Sequence, residues 1–293
     1  GTDNDKVRCF AASKNGEIEE LSVDARTLDE CSLQVCSSEG AYTIIPVYKG
    51  GKIASRWNEH LTRFDTGCEL LSIPNSKVFT SSDNHSEPLI QSLFRSCWNL
   101  CDFESARVRI TFEEKRMNQS NCAILVAIEP WKPFNINSPI YSEGVKIQVL
   151  PASVKRSAPE AKHNGWIHKR KEIMSNLPNE IYESLLVDTT DKGLVVLESL
   201  GCNFIGLRKD GTLIFPKDKL LIGIARAILL SAVEGKFNVV YESPTLEEVM
   251  NMDECYLCSA SRGPFPIIKI DDKEIGDGKP GKTFSILFNL YHN

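Results

Sequence analysis

Two short segments carry residue types that could hold a charged ligand. Glu198 ends an apolar run in VVLESLGCNF, residues 195–204, and faces a loop of small residues. The sequence GIAR at residues 223–226 opens a helix-like run, and the free amide groups of a first helical turn attract phosphate. Together they suit a cofactor with a basic ring at one end and a phosphate at the other. Each signal alone is common, since most acids at strand ends are solvated and every helix has an N-terminus.

The cations that would accompany such a ligand are harder to choose. Arg63 lies in RWNEHLTRF, where helical spacing makes it a neighbour of His60, and a surface helix arginine is the ordinary interpretation. Lys162 lies in the basic stretch SVKRSAPEAKHNGWIHKRKEI, residues 153–173. Such a run is usually a solvated helix face, so composition does not single out one lysine. Glu198, partly desolvated between apolar strands, would need a cationic partner.

Composition excludes several classes of protein. The 293 residues carry a net charge of −5, which argues against broad binding to nucleic acid or to anionic membranes. No apolar run approaches the roughly 20 residues of a membrane span. Ten cysteines are too sparse for a disulfide framework in a chain of this length, so reduced thiols are expected. We therefore expect a cytoplasmic protein, with an organelle as the alternative if a transit peptide has been removed.

No metal site is predicted. Cys255 and Cys258 form a CxxC, but their flanks have the pattern of a buried strand and no second CxxC or His pair completes a zinc site. His60, His163 and His168 show no ligand spacing with other His or Cys residues.

The hydrophobic pattern predicts an α+β protein with two domains. Strand-like runs and two helix candidates fill residues 1–129, and a linker rich in Pro and Asn follows at 130–137. Residues 138–293 contain a second series of strands and helices, including a helix start capped by Thr245. Strands outnumber helices and mix with them irregularly, which favours α+β domains over a doubly wound sheet.

Taken in order, these segments resemble the class IV aminotransferases. These are the fold-type-IV pyridoxal-phosphate enzymes, which include branched-chain and D-amino-acid aminotransferases and aminodeoxychorismate lyase. Residues 39–64 resemble the family's Gly-x-Tyr/Phe strand and EHxxR helix, and KHNGW at 162–166 resembles the segment of its cofactor-binding lysine. GIAR is similar to the family's Gly-Ile-Thr-Arg phosphate turn, and residues 252–281 match its closing strand, loop and hairpin. The resemblance implies a small N-terminal α/β sandwich and a larger C-terminal domain that is β-barrel-like with helices.

The resemblance also implies roles for individual residues. Lys162 would attach covalently to pyridoxal phosphate and later transfer a proton, with Tyr42 and Thr43 beside it in the catalytic site. Glu198 would bind the ring nitrogen and Arg63 the phosphate. The full set of residues expected to contact the cofactor is Arg63, Lys162, Glu198, Asn203, Ile224, Ala225 and Ser261.

Departures from the family pattern keep three functions open. Ala225 and Ala260 stand where many members have threonines, so two hydroxyl donors to phosphate are missing. Thr43 stands where many aminotransferases have Glu and where lyase members often have Thr. The alternatives are an aminotransferase, a lyase similar to aminodeoxychorismate lyase, and a homologue that retains the fold without catalysis. Retention of Lys162 and Glu198 argues against the last.

The resemblance further implies a homodimer that acts on small amino acids and 2-oxo acids. The substrate itself is not readable, because specificity in this family comes from loops whose pairing depends on the dimer. Arg107 and Arg109 in ARVRITF are candidates to bind a substrate carboxylate, although alternating arginines on a strand usually face solvent.

Overall fold

The protein is described by a computed structural model that covers residues 5–37, 39–73, 76–82, 87–112, 122–133 and 135–293. The chain divides into two compact units. The first comprises residues 1–133 with 160–169, and the second comprises 134–159 with 170–293. The division after residue 133 falls inside the stretch 130–137 that the sequence suggests as a linker. Residues 160–169, which the sequence interpretation placed in the C-terminal domain, group with the first unit.

The first unit is built on an antiparallel sheet of six strands. The strands are β1 (Arg8–Ser13), β2 (Ile18–Leu21), β3 (Ala41–Tyr48), β4 (Ile53–Ala54), β5 (Ala106–Phe112) and β6 (Cys122–Pro130). Their order across the sheet is β2-β1-β6-β5-β3-β4. The helices described in this unit are α1 (Leu28–Val35), α2 (Trp57–Leu70), α3 (Lys77–Thr80) and α4 (Leu89–Asn99).

Successive residues of a strand point to opposite sides of the sheet. Because residues of both orientations are apolar here, helices cover both faces. On one face Phe10 packs in a core with Phe64 of α2 and Leu93 of α4. On the other face Cys9 packs with Leu28 of α1. Burying each large apolar side chain stabilises the fold by about 1.5–3 kcal/mol relative to leaving it exposed. The arrangement confirms the predicted α/β sandwich.

The second unit contains nine strands in one sheet. They are β7 (Val145–Val149), β8 (Glu183–Thr190), β9 (Gly193–Ser199), β10 (Asn203–Leu207), β11 (Leu213–Ile214), β12 (Val239–Val240), β13 (Glu254–Ser259), β14 (Gly263–Ile270) and β15 (Lys273–Glu274). The remaining helices are α5 (Pro139–Ser142), α6 (Asn164–Ser175), α7 (Ile224–Val233), α8 (Leu246–Val249) and α9 (Lys282–His292), and the division between the units falls inside α6.

Six strands of the second unit close into a ring, in the order β10-β13-β14-β7-β8-β9 and back to β10. Strand β7 runs parallel to both of its neighbours, and the other pairs in the ring are antiparallel. The ring is completed by one backbone pair, Asn203 with Glu198. Closure removes exposed strand edges, which is how a barrel satisfies its backbone groups. The predicted β-barrel-like domain is thereby confirmed.

Most of the predicted elements are present, with differences at their ends. Thr245 is the N-cap of α8 and accepts a hydrogen bond from the Glu248 amide, as predicted. The largely apolar residues 212–216, TLIFP, form a strand only at Leu213–Ile214, since Pro216 cannot donate to a sheet ladder. Elements β1, β2 and α1 were not foreseen. None of the helices described here is long and apolar enough to cross a bilayer.

Candidate active site

The segment that carries Lys162 is attached to strand β3 through the backbone. The Tyr42 amide donates to the Lys162 carbonyl at 3.0 Å, and the Asn164 amide donates to the Gly40 carbonyl at 2.8 Å. Ala41 and His163 form an isolated antiparallel bridge between these two bonds. Helix α6 begins immediately afterwards at Asn164. Three pairings in succession therefore fix the backbone on both sides of Lys162.

The Tyr42 ring lies close to two cations. The ring is buried, with 4% of the residue exposed. Its centroid is 4.9 Å from the Lys162 Nζ and 3.7 Å from the guanidinium carbon of Arg109. Both distances are within the range of cation–π attraction. The structure thus brings together Tyr42 and Lys162, which were predicted as neighbours in the catalytic site.

Thr43, the next residue on β3, joins two residues of helix α2. Its side chain is fully buried, and its Oγ1 accepts a hydrogen bond from the Arg63 guanidinium at 3.0 Å. The same oxygen lies 2.9 Å from His60 Nδ1. Burial, assisted by the nearby Arg63 and Lys162 cations, lowers the pKa of His60 to about 2, so the ring is neutral. We call Tyr42, Thr43, His60, Arg63 and Lys162 the Arg63 cluster.

Arg63 is a half-buried cation rather than a surface residue. Burial lowers its pKa to about 10, although Tyr42 acts in the opposite direction. Among the residues that the structure describes, no carboxylate lies within ion-pair distance of its guanidinium, and its hydrogen bond goes to Thr43. A cation in this setting is costly until an anion arrives. The cluster is therefore suited to bind an anion.

The two arginines of β5 do not face solvent as the alternating pattern suggested. The Arg109 side chain is 1% exposed, and it donates to Thr111 at 3.1 Å and to Asn164 at 2.6 Å. Arg107 forms an ion pair of 2.5 Å with Glu129. That expectation was wrong because the helices over this sheet cover both of its faces, so a strand residue need not reach water. Arg109 instead links the Lys162 segment and β5 by its bond to Asn164.

Glu198 is likewise buried, but it has protein partners. It lies at the end of β9 with 3% of the residue exposed. Its carboxylate forms a 2.8 Å ion pair with Arg156, and it accepts from the Leu221 amide at 3.3 Å and from Asn203 Nδ2 at 3.5 Å. The predicted need for a cation is met by Arg156, from the basic stretch interpreted as a solvated face; that interpretation was wrong for Arg156. We call Arg156, Glu198, Asn203 and Leu221 the Glu198 cluster.

Asn203 connects Glu198 to the turn before helix α7. Its Nδ2 also donates to the Leu221 carbonyl at 2.7 Å, and its Oδ1 accepts from the Gly223 amide at 3.1 Å. A Cβ on Gly223 would lie 2.3 Å from that oxygen, so the close approach needs glycine. Gly223 is the N-cap of α7 and makes no side-chain cap bond. Asn203 thus fixes the turn from which helix α7 begins at Ile224.

Comparison with known proteins identifies the family. The model of the family described as amino-transferase class IV matches residues 40–270, most of the chain. The chain belongs to the class IV aminotransferases.

Two curated relatives from Arabidopsis thaliana support this assignment. They are branched-chain-amino-acid aminotransferase-like proteins 1 and 2, and each is 26% identical over 262 residues, or 84% of this chain. The chain spans less than half of their length, at 44% of protein 1 and 43% of protein 2.

Solved structures of class IV enzymes share the fold. The branched-chain amino acid aminotransferase of Escherichia coli matches with a TM-score of 0.70 and 20% identity, covering 98% of this chain and 95% of that one. The 4-amino-4-deoxychorismate lyase of Pseudomonas aeruginosa matches with a TM-score of 0.63 and 19% identity, covering 92% and 94%. The predicted family and fold are therefore confirmed.

Class IV aminotransferases use pyridoxal phosphate, and the side chains of this chain fit that group. The Arg63 cluster offers a primary amine beside an aromatic ring and a cation suited to phosphate. The start of α7 offers first-turn amides that no side chain caps. The Glu198 cluster offers a buried carboxylate suited to a basic ring nitrogen.

The second unit has alanines at the two positions where the family resemblance suggested phosphate-binding threonines. Ala225 is buried in the first turn of α7, and Ala260 and Ser261 lie in the turn between β13 and β14. Each hydroxyl bond to a charged acceptor contributes about 1.5–3 kcal/mol. These two alanine positions therefore offer no side-chain hydroxyl to an anion.

Two side-chain contacts in these clusters were not predicted from the sequence. Arg156 meets Glu198 across 42 residues of chain, and His60 meets Thr43 across 17, so neither pair leaves a local spacing signal. Cys255 and Cys258 lie buried in β13, as expected for a strand. Within the described part of the chain no group of three or more His, Cys, Asp or Glu residues could hold a metal ion.

Proposed function

We propose that this chain is a pyridoxal-phosphate-dependent aminotransferase that moves an amino group between an amino acid and a 2-oxo acid. One observation carries the proposal: Arg63 and the amine of Lys162 share a cluster in which, among the described residues, no carboxylate pairs with Arg63. A phosphate would compensate the arginine, and a lysine amine can bond to an aldehyde carbon. Membership of the class IV family supports both assignments.

The proposed roles follow from the chemistry of each group. Lys162 would hold the cofactor through Nζ, and that amine would carry a proton when it is not bonded to the cofactor. Tyr42 orients the amine through its ring face. Glu198, held by Arg156, would bind the ring nitrogen and favour its protonated form. Pyridoxal phosphate, when bound, supplies the electron sink that the protein's side chains lack.

Arg63 is proposed to bind the phosphate together with backbone amides. The amides of Ile224 and Ala225 belong to the first turn of α7, and that of Ser261 lies in the β13–β14 turn. Asn203 supports this set indirectly, since its side chain is occupied by Glu198, Leu221 and Gly223.

An absorption scan tests the proposal. Purified protein mixed with pyridoxal phosphate should develop a visible band that is absent in Lys162→Ala. Lys171→Ala is the matched control, because Lys171 is exposed on the same basic stretch and should keep the band. A wild-type protein that takes up no pyridoxal phosphate would sink the proposal and leave a homologue that retains the fold without catalysis.

A lyase similar to aminodeoxychorismate lyase is the second candidate. Thr43 favours it, because lyase members of the family often have threonine at this position, and a lyase of that kind shares the fold. A product assay separates the two. Formation of a new 2-oxo acid from an amino donor supports the aminotransferase, whereas pyruvate plus an aromatic amine from aminodeoxychorismate supports the lyase.

We also propose a cytoplasmic homodimer with small-molecule substrates. Every cysteine whose side chain the structure describes is a free thiol, which suits a reducing compartment. Sedimentation of the purified protein measures the assembly directly, and a monomer at micromolar concentration would contradict the dimer. Cell fractionation tests the compartment.

A further inference from the structure

We propose that Thr43 and His60 are positioning residues that hold Arg63 ready for the cofactor phosphate. The inference rests on the proposed function and goes further, because neither residue need touch the cofactor or the substrate. It contrasts with the role suggested by the sequence for Thr43, which placed it among the catalytic residues. The structural basis is one buried hydroxyl that links a neutral ring to a cation.

The direction of the two hydrogen bonds follows from their chemistry. A guanidinium has five donors and no acceptor, so Arg63 must donate to Thr43 Oγ1. The hydroxyl proton of Thr43 then needs an acceptor, and among the described residues the one in reach is His60 Nδ1 at 2.9 Å. His60 therefore carries its proton on Nε2. The chain of bonds runs from Arg63 to Thr43 to His60.

The neutral state of His60 is required for this arrangement. A protonated ring would donate from both nitrogens and leave the Thr43 hydroxyl without an acceptor. Two cations, Arg63 and Lys162, act against that protonation, and the ring is 1% exposed. The positive charges of Arg63 and Lys162 thus have two effects. They keep His60 neutral, so that its Nδ1 can accept a hydrogen bond, and they favour binding of an anion.

Holding Arg63 in place matters because an arginine side chain has many rotamers. Ordering a flexible side chain at the moment of binding opposes association, and a side chain that is ordered in advance avoids that loss. Thr43 is itself immobile, since it is fully buried on β3 and its hydroxyl is bonded on both sides. The proposal therefore places the effect on the phosphate and not on the ring of the cofactor.

Two ligands distinguish an effect on phosphate binding from an effect on ring binding: pyridoxal phosphate, and pyridoxal, which lacks the phosphate. Dissociation constants are measured from the visible band of each ligand in wild type and in Thr43→Val, which keeps the shape of threonine without its hydroxyl. We expect the dissociation constant of pyridoxal phosphate to rise by about 10-fold, which corresponds to one hydrogen bond to a charged group, and that of pyridoxal to stay unchanged. Thr43→Ser should restore the wild-type value.

The histidine is tested in the same way. His60→Leu should show the same selective loss, and His60→Asn should recover affinity because its Oδ1 can occupy the place of Nδ1. Inorganic phosphate should compete with pyridoxal phosphate less well in Thr43→Val than in wild type. If His60→Leu does not fold, the pair Thr43→Val and Thr43→Ser still decides the matter, because both are near-isosteric.

Some results would overturn the inference. An equal loss of both ligands in Thr43→Val would mean a general structural role, and no loss of either would mean that Arg63 needs no support. A wild-type protein that binds neither ligand would instead contradict the proposed function, so the two failures are distinguishable.

Discussion

The Arg63 cluster and the Glu198 cluster treat a buried charge in opposite ways. Glu198 has an arginine, a backbone amide and a carboxamide around it. Arg63 has the hydroxyl of Thr43 and, among described residues, no carboxylate in ion-pair range. The acid is therefore stabilised by groups of the protein itself. Under the proposed function, the charge of Arg63 would be compensated by the cofactor phosphate.

The largest effect is expected from removing the partner of the acid. Arg156→Met should lower the free energy of unfolding by about 3–5 kcal/mol, because it leaves a buried carboxylate without its cation. Denaturant unfolding measures it, with Arg95→Met as the control, since Arg95 pairs with Glu87 on the surface and should cost at most about 1 kcal/mol. Equal losses in the two variants would show that the two clusters do not differ as described.

Removing the Arg63 cation is expected to cause no loss of stability, in contrast to removing Arg156. Arg63→Met should leave the unfolding free energy of the cofactor-free protein unchanged or raise it by about 1 kcal/mol, because an uncompensated, half-buried charge is removed. The same variant should bind pyridoxal phosphate about 100-fold more weakly, through loss of a charged contact. A large loss of stability without cofactor would reveal that Arg63 has an internal role equal to that of Arg156.

An intermediate change in the free energy of unfolding is expected when the pH is lowered. The pKa of His60 falls from 6.5 in the unfolded chain to about 2 in the fold, so between these values the native state binds fewer protons. Stability is then present above pH 6.5 and is lost on acidification by about 1.4 kcal/mol for each pH unit. Between pH 7 and pH 5 the wild type should lose about 2 kcal/mol more than His60→Asn. Parallel curves for the two proteins would contradict the neutral ring.

The smallest effect is expected where the Glu198 cluster meets helix α7. Gly223→Ala places a Cβ against Asn203 Oδ1 and should destabilise the protein by about 1–2 kcal/mol. Gly67→Ala in helix α2 is the control, because its Cβ would make an ordinary 4.0 Å contact with Ala161 and should gain about 0.5–1 kcal/mol. Thermal melting distinguishes the two signs. A gain in both variants would mean that the Asn203 side chain moves without cost.

Sequence reasoning reached the parts of the site that lie in local patterns. Lys162 and Arg63 were predicted because their short segments resemble segments of the class IV family, and the structure places the two residues in one cluster. The Thr245 cap was predicted because its partner, Glu248, is three residues away. Such features depend on neighbours along the chain, so the sequence displays them.

The parts that were missed depend on long-range contacts. Arg156 lies in a basic run whose composition suggests solvent, and its burial follows from the position of Glu198 on a barrel strand. The buried state of Arg109 follows from helices on both faces of the sheet. Strands β1 and β2 pair at one edge of the first sheet, and the runs that form them are short. None of these outcomes has a period or spacing that can be read in advance.

The closure of the barrel at Asn203 and Glu198 bears on which residues homologues of this protein would retain. A homologue that has lost catalysis must still fold, and its barrel must still close. Glu198 belongs to the backbone pair, with Asn203, that completes the ring of strands. Its carboxylate also neutralises Arg156. Retention of Glu198 is therefore expected from its ion pair with Arg156 as well as from its proposed chemistry, so it is weaker evidence of catalysis than the sequence alone suggested. Among the described residues Arg63 pairs with no carboxylate, so under the proposed function its loss in a homologue would be the earlier sign that cofactor binding had been lost.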